Sequence, residues 1–326
     1  LQYALGRAMT ELARYGLTGV HDAGISAATV TAYKALLDEN PFPVRINAML
    51  AATDPANAAN LAAGHFRSDD DSLNINSVKI AADGALGSRG AALIDDYSDM
   101  EGHRGLLLHD PQRLTALMTT AMNAGFQVNT HAIGDRANNV VLDNYAALIE
   151  ATDSRHLRHR VEHAQVLTYE DILRFSELGV IPSMQTTHAT SDKNMAEDRL
   201  GPIRIQGAYA WRKLLETGVR IANGSDFPVE SPNPFYGLHA AITRQGQDNE
   251  PPGGWYPEER MTRIEALKSF TIDSAYAAHQ EEFLGSLEPG KKADFILIDH
   301  DIMTVPANEI WQTEVLQTWV NGRRTH

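Results

Sequence analysis

Short apolar runs rich in β-branched residues alternate with longer amphipathic stretches along most of this 326-residue chain. This alternation limits the fold more than any other feature. A strand, then a helix, then another strand calls for parallel neighbours joined by crossover helices. The strand-like runs are Leu17–Asp22, Pro43–Leu50, Asn76–Ala81, Phe126–His131, Arg160–His163, Val180–Met184 and Val219–Asn223. Helical patterns lie between them, at Ala27–Glu39, Pro111–Ala124, Asp135–Ile149 and Tyr169–Leu178. Asp110 before Pro111 is an N-cap ahead of a first-turn proline, and Gly125 and Gly179 stand where helices stop and strands begin.

Open doubly wound sheets and closed barrels share this pattern. A closed (β/α)8 barrel of the TIM type needs eight strands, and the sequence offers about seven. The expected architecture is therefore an α/β barrel over residues 1–280, lacking its first strand. The chain opens on LQYALGRAMTELARYG, an amphipathic segment with no initiating Met, which reads as the interior of a longer sequence. After Thr262 the pattern changes. Arg263–Ala278 reads as one helix, and strands at Ala293–Asp299 and Val315–Asn321 follow. Two strands do not form a stable sheet alone. Residues 281–326 thus read as the C-terminal strands of a small β-domain that needs a partner. Asn249–Tyr256, NEPPGGWY, is a loop rather than a linker.

Composition removes several function classes. The net charge of −14 repels nucleic acid and anionic membranes. With no cysteine there is no disulfide, thiolate metal site, iron–sulfur cluster or cysteine nucleophile. Any transition metal must be held by His, Asp, Glu or an unusual ligand. No apolar run reaches transmembrane length and no signal pattern opens the chain, so the expected location is cytoplasmic.

In a parallel barrel, chemistry gathers where strands end. His131 ends FQVNTH, His163 ends RVEH and Asp226 follows VRIANGS, while Lys79 lies inside the strand NSVKIAAD. Any one of these has an ordinary explanation: a hydrogen-bonded structural His, a turn Asp. A lysine in a buried strand needs a partner or a purpose. All four on successive strand ends point to one mouth and to a divalent metal site, with zinc favoured by imidazole and carboxylate donors and manganese, iron and nickel left open. Such a cation lowers the pKa of bound water and polarises a carbonyl oxygen. Asp83 and Arg89 in DGALGSRG, with Gln185 and His188 in SMQTTHATSD, sit on loops that open onto the same mouth and are candidate substrate contacts. Gly84, Gly87 and Gly90 fit neither the dinucleotide fingerprint nor the P-loop, and no Gly-x-Ser-x-Gly elbow occurs.

The motifs LTGVHDAG (Leu17–Gly24), VKIAADGALGSRGAAL (Val78–Leu93), THAIGDRA (Thr130–Ala137), RVEHAQ (Arg160–Gln165), NGSDFPVESPNPF (Asn223–Phe235) and GSLEPGKKADFILID (Gly285–Asp299) resemble the amidohydrolase superfamily, in the branch of the N-substituted formamide deformylases. The resemblance implies that Lys79 is carboxylated by CO2 and bridges two metals. It implies that His131 and His163 hold the second metal, and that Asp226 binds the first and acts as general acid/base. The implied reaction is hydrolysis of an amide-type C–N bond in a small molecule. One element departs from the family. Its first strand carries a His-x-His pair for the first metal, and no His-x-His occurs in this chain. His21 ends a strand and matches a supporting position; His156 and His159 precede the strand that ends in His163. One metal site can thus be completed more readily than two. The competing reading is a truncated, catalytically incompetent barrel fragment. An open barrel exposes two strand edges, so a homo-oligomer is expected.

Overall fold

The computed structural model describes all of residues 1–326. Eight strands form one sheet: β1 (Gly19–Ile25), β2 (Arg45–Ala51), β3 (Phe66–Arg67), β4 (Leu73–Ala81), β5 (Gln127–Ala132), β6 (Arg160–His163), β7 (Ile181–Met184) and β8 (Ala222–Asn223). Their order is β1-β2-β4-β5-β6-β7-β8, all parallel, with β3 antiparallel on β4. The seven parallel strands curl into a half-barrel, and β1 and β8 at its two ends do not pair with each other.

Parallel strands covered on both faces lose the in–out alternation of half-buried strands. β2 is buried at all but its last position, and β6 and β7 are buried throughout. The covering helices have local reasons to start and stop. Asp110 accepts the Arg113 N–H at 2.7 Å, and Pro111 occupies the first turn of Pro111–Asn123. Thr168 caps Tyr169–Leu178 in the same way, and Gly179 ends that helix at φ +69°. At Gly134 a Cβ would lie 2.0 Å from the Ala92 carbonyl oxygen, so only glycine lets the β5 loop and the loop after β4 approach this closely.

The expected single helix over Arg263–Ala278 is two helices, Arg263–Phe270 and Ile272–Ala277, broken at Thr271 (φ −126°, ψ −96°). The break lets the second helix turn against β8, where Ser274 Oγ donates to the Asn223 carbonyl at 3.3 Å. The two expected C-terminal strands are three: β9 (Phe295–Ile298), β10 (Val315–Val320) and β11 (Arg323–Arg324), antiparallel in the order β11-β10-β9. Asn321 and Gly322 both have positive φ, the two-residue hairpin turn that favours Asn-Gly. This sheet packs on the first helix, Gln2–Arg14, where Thr318 donates to the Ala13 carbonyl at 2.7 Å. A nearly buried ion pair, Arg45 to Asp294, ties it to β2 at 2.6 Å.

Candidate metal centre

Register decides which side chains share a level. Lys79 on β4 faces Asn129 on β5, His131 faces Glu162 on β6, and Ala132 faces His163. His131 therefore stands one inward step above the level of Lys79, and His163 lies at the end of its strand. Beyond β8 the chain turns at Asp226, which adopts φ +56°; His163 has φ +78°. Both are uncommon conformations for residues with a side chain, and strain of this kind concentrates at functional sites. A cavity of about 410 Å³ opens here, and Lys79, Glu162, His163, Gln185 and Asp226 are among the residues that line it.

The histidines pack ring to ring. His131 and His163 meet edge to face with centroids 4.5 Å apart, and His163 stacks on His188 at 5.8 Å. His163 Nδ1 is engaged by Gln185 Oε1 at 2.7 Å, which orients the ring and leaves Nε2 free. His188 Nε2 lies 3.8 Å from Asp226 Oδ2 and has no hydrogen-bond partner although it is buried. Ligand atoms of His163, His188 and Asp226 all fall within 4.8 Å of one another. A buried, unpartnered imidazole nitrogen beside a second imidazole and a carboxylate is a donor set that fits a divalent cation.

Electrostatics favour the same use. Burial, then the neighbouring His131, Lys79 and His188, push His163 well below the ordinary histidine range. Burial, then His131, lower His188 to about 4. Both rings are thus neutral near pH 7, the form that ligates metals. Burial also lowers the Lys79 pKa, against an opposing pull from Glu162, and Lys79 makes no hydrogen bond or ion pair. Burial raises the Asp226 carboxyl, with Lys79 and His131 acting in the other direction.

The remaining candidates divide. Gln185 lines the cavity and also holds the His163 ring. His188 belongs with the metal-competent group rather than with a substrate loop alone. Asp83 does not line the cavity. It is 1% exposed, and its carboxylate accepts the N–H groups of Ala92, Ile133 and Gly134 at 2.8–3.0 Å. Its Oδ1 is 3.4 Å from His131 Nε2, so it backs that ring from the protein side. Arg89 is turned away as well, held bidentately by Asp99 at 2.8 and 3.0 Å.

Two residues at the site, Arg160 and Glu162, do not stand out as candidates in the sequence. Arg160 and Glu162 point inward from β6 and pair at 2.8 Å. Burial pushes the Glu162 carboxyl up, but Arg160 and Lys79 outweigh it and hold the group below its usual value. Arg160 also donates to His21 Nδ1 at 2.8 Å, and His21, lowered to about 3 chiefly by burial, lines the cavity. The i, i+2 spacing of Arg160 and Glu162 in a strand was the one available signal, since it puts both on one face.

The sequence profile of the amidohydrolase family matches residues 1–326. The chain belongs to the amidohydrolase family. Among relatives, a Bacillus subtilis (strain 168) protein named as an amidohydrolase, YtcJ, is 30% identical over 98% of this chain and 60% of its own length. N-substituted formamide deformylase of Arthrobacter pascens is 24% identical over 96% of the chain and 58% of the enzyme. The crystal structure of a metal-dependent hydrolase from Pyrococcus horikoshii OT3 superposes with a TM-score of 0.83 at 27% identity, covering 94% of this amidohydrolase chain and 61% of that one. The chain thus spans about three fifths of the length of these relatives. The barrel architecture expected from the strand–helix alternation is the architecture of this family.

Proposed function

We propose that this amidohydrolase chain carries the metal centre of a hydrolase acting on amide-type C–N bonds of small molecules, an N-substituted formamide or a related amide. The observation that supports the reading is that Lys79, His163 and Asp226, from β4, β6 and the turn after β8, line one cavity, with the His131 ring of β5 packed edge to face on His163 at 4.5 Å. These four are the residues we assign to hold one or two divalent cations, with zinc the best match to imidazole and carboxylate donors. When bound, the cation supplies an acidified water and polarises the substrate carbonyl.

The chain's own residues prepare the rest. Burial favours the neutral amine of Lys79. That amine can add CO2 and lose a proton to become a long-armed anionic ligand. Asp226, with a raised carboxyl pKa and a half-exposed side chain, is suited to take a proton from water and return it to the leaving amine. Gln185 holds His163 in one ring orientation. Support for amide chemistry comes from the likeness to the Arthrobacter formamide deformylase.

The test is hydrolysis of N-substituted formamides by metal-loaded protein, with Asp226→Asn alongside. Loss of a positioned general acid/base lowers kcat by about 10²–10⁴-fold. Formamide hydrolysis that Asp226→Asn leaves intact contradicts the assignment. A second reading, a barrel without catalytic competence, is favoured by one observation: no His-x-His pair occurs in the chain. Metal uptake with no turnover on any amide supports it.

A further inference from the structure

The site described above uses Lys79 and His131, yet its most tightly gathered ligand atoms are those of His163, His188 and Asp226. His188 is not on a barrel strand. It lies in the short helix Thr186–Asp192, which follows β7, and that helix is held from several sides. Thr186 Oγ1 donates to the Gly237 carbonyl at 2.7 Å, and Ser191 Oγ donates to Glu230 Oε1 at 2.6 Å. Asp192, one turn beyond His188, accepts the Tyr209 hydroxyl at 2.6 Å and Gln165 Nε2 at 3.0 Å. Tyr209 in turn is 1% exposed, and its backbone is paired to Gln165 and Arg244. The helix is therefore fixed at both ends, and His188 is directed at Asp226 with a buried, unpartnered Nε2.

We propose that His163, His188 and Asp226 form a three-ligand cation site that fills first and independently of Lys79, with His188 as a ligand contributed from outside the barrel strands. The inference rests on the metal-centre reading above and adds to it. Two imidazoles and a carboxylate match the three protein ligands of catalytic zinc sites, which leave a position open for water or substrate. A site preassembled by the helix anchors loses little ordering entropy on metal binding. It also gives the chain a metal position that needs neither a carboxylated lysine nor a His-x-His strand.

Cobalt(II) titration of the full chain reads this directly, followed by its d–d absorption and by metal content after gel filtration. The expected result is one cobalt per chain in the unaltered protein and in Lys79→Ala. In His188→Ala, binding should be weaker by about 100-fold or more, the upper range for loss of a mere supporting partner. Because the chain has no cysteine, His188→Cys offers a second readout that does not depend on the alanine variant folding. It should bind cobalt with a new near-ultraviolet thiolate charge-transfer band. Cobalt bound by His188→Cys without that band, or binding lost in Lys79→Ala and kept in His188→Ala, overturns this inference and leaves the metal-centre reading standing. No binding by the unaltered chain overturns both.

Discussion

His159 stacks on Tyr145 with ring centroids 5.4 Å apart, accepts the Val128 N–H at Nδ1 (3.0 Å) and meets Ser154 Oγ through Nε2 (3.0 Å). Burial, then the neighbouring His156 and His279, lower it to about 3. The ordinary value of an unfolded histidine is about 6.5. Between those two values the unfolded chain binds the extra proton and the folded chain does not, so stability rises with pH there. The contribution is fully present above about 6.5 and is lost as pH falls toward about 3. In His159→Asn this part of the acid limb should disappear: the melting-temperature gap from the unaltered protein narrows from pH 7 to pH 4. An unchanged gap contradicts the assignment. Asp83 offers a second residue-scale prediction. Asparagine keeps one acceptor oxygen for three backbone donors, so Asp83→Asn should destabilise by about 2 kcal/mol or more in urea unfolding. A change under about 0.5 kcal/mol would show that those N–H groups find other partners. Lys79, His131, His163 and Asp226 stand out as candidates in the sequence because each sits at or near the end of a recognisable strand. His188 was legible only as a residue of a loop at the mouth, and its approach to His163 and Asp226 was not, because those residues lie on other elements; the Arg160–Glu162 pair left no signal beyond its i, i+2 spacing.

Among the elements, Arg263–Phe270 begins with a reciprocal capping box: Thr262 Oγ1 accepts the Glu265 N–H, and the Glu265 carboxylate accepts the Thr262 N–H at 2.7 Å. Thr262→Ala should cost about 1 kcal/mol by urea unfolding, and no measurable loss would mean the helix is held by packing alone. Caps of this kind explain why helix starts were readable: Ala27–Glu39 and Tyr169–Leu178 have the boundaries the sequence implies. Helix breaks were less readable. Nothing at Thr271 disfavours helix strongly, and the break follows from docking Ile272–Ala277 against β8. The short strands β3 and β11 escaped for a related reason. Two residues carry no periodicity, and only their pairing partners make them strands. β8 shrank from an expected five residues to Ala222–Asn223, because only Ala222 and Asn223 reach a neighbour, β7.

At the scale of the whole molecule, the small sheet and the half-barrel are joined through Arg45 and Asp294, whose side chains are 3% and 7% exposed. Removing one member of a buried pair leaves the other charge without compensation, which costs about 3–5 kcal/mol. Asp294→Ala should therefore lower stability by that order and speed amide hydrogen exchange in Phe295–Ile298; exchange unchanged there would mean that other contacts hold the sheet. We propose that copies of the chain associate through the unpaired edges of β1 and β8; light scattering tests this, a mass above that of one chain supporting it and the mass of one chain contradicting it. The central claim, a divalent metal centre at the mouth of the half-barrel, is tested most directly by anomalous X-ray scattering at the zinc edge on crystals grown with zinc. The account predicts a peak about 2.0–2.2 Å from the ring nitrogen of His163 and a carboxylate oxygen of Asp226. Zinc found only on surface carboxylates, with none beside His163, would contradict it.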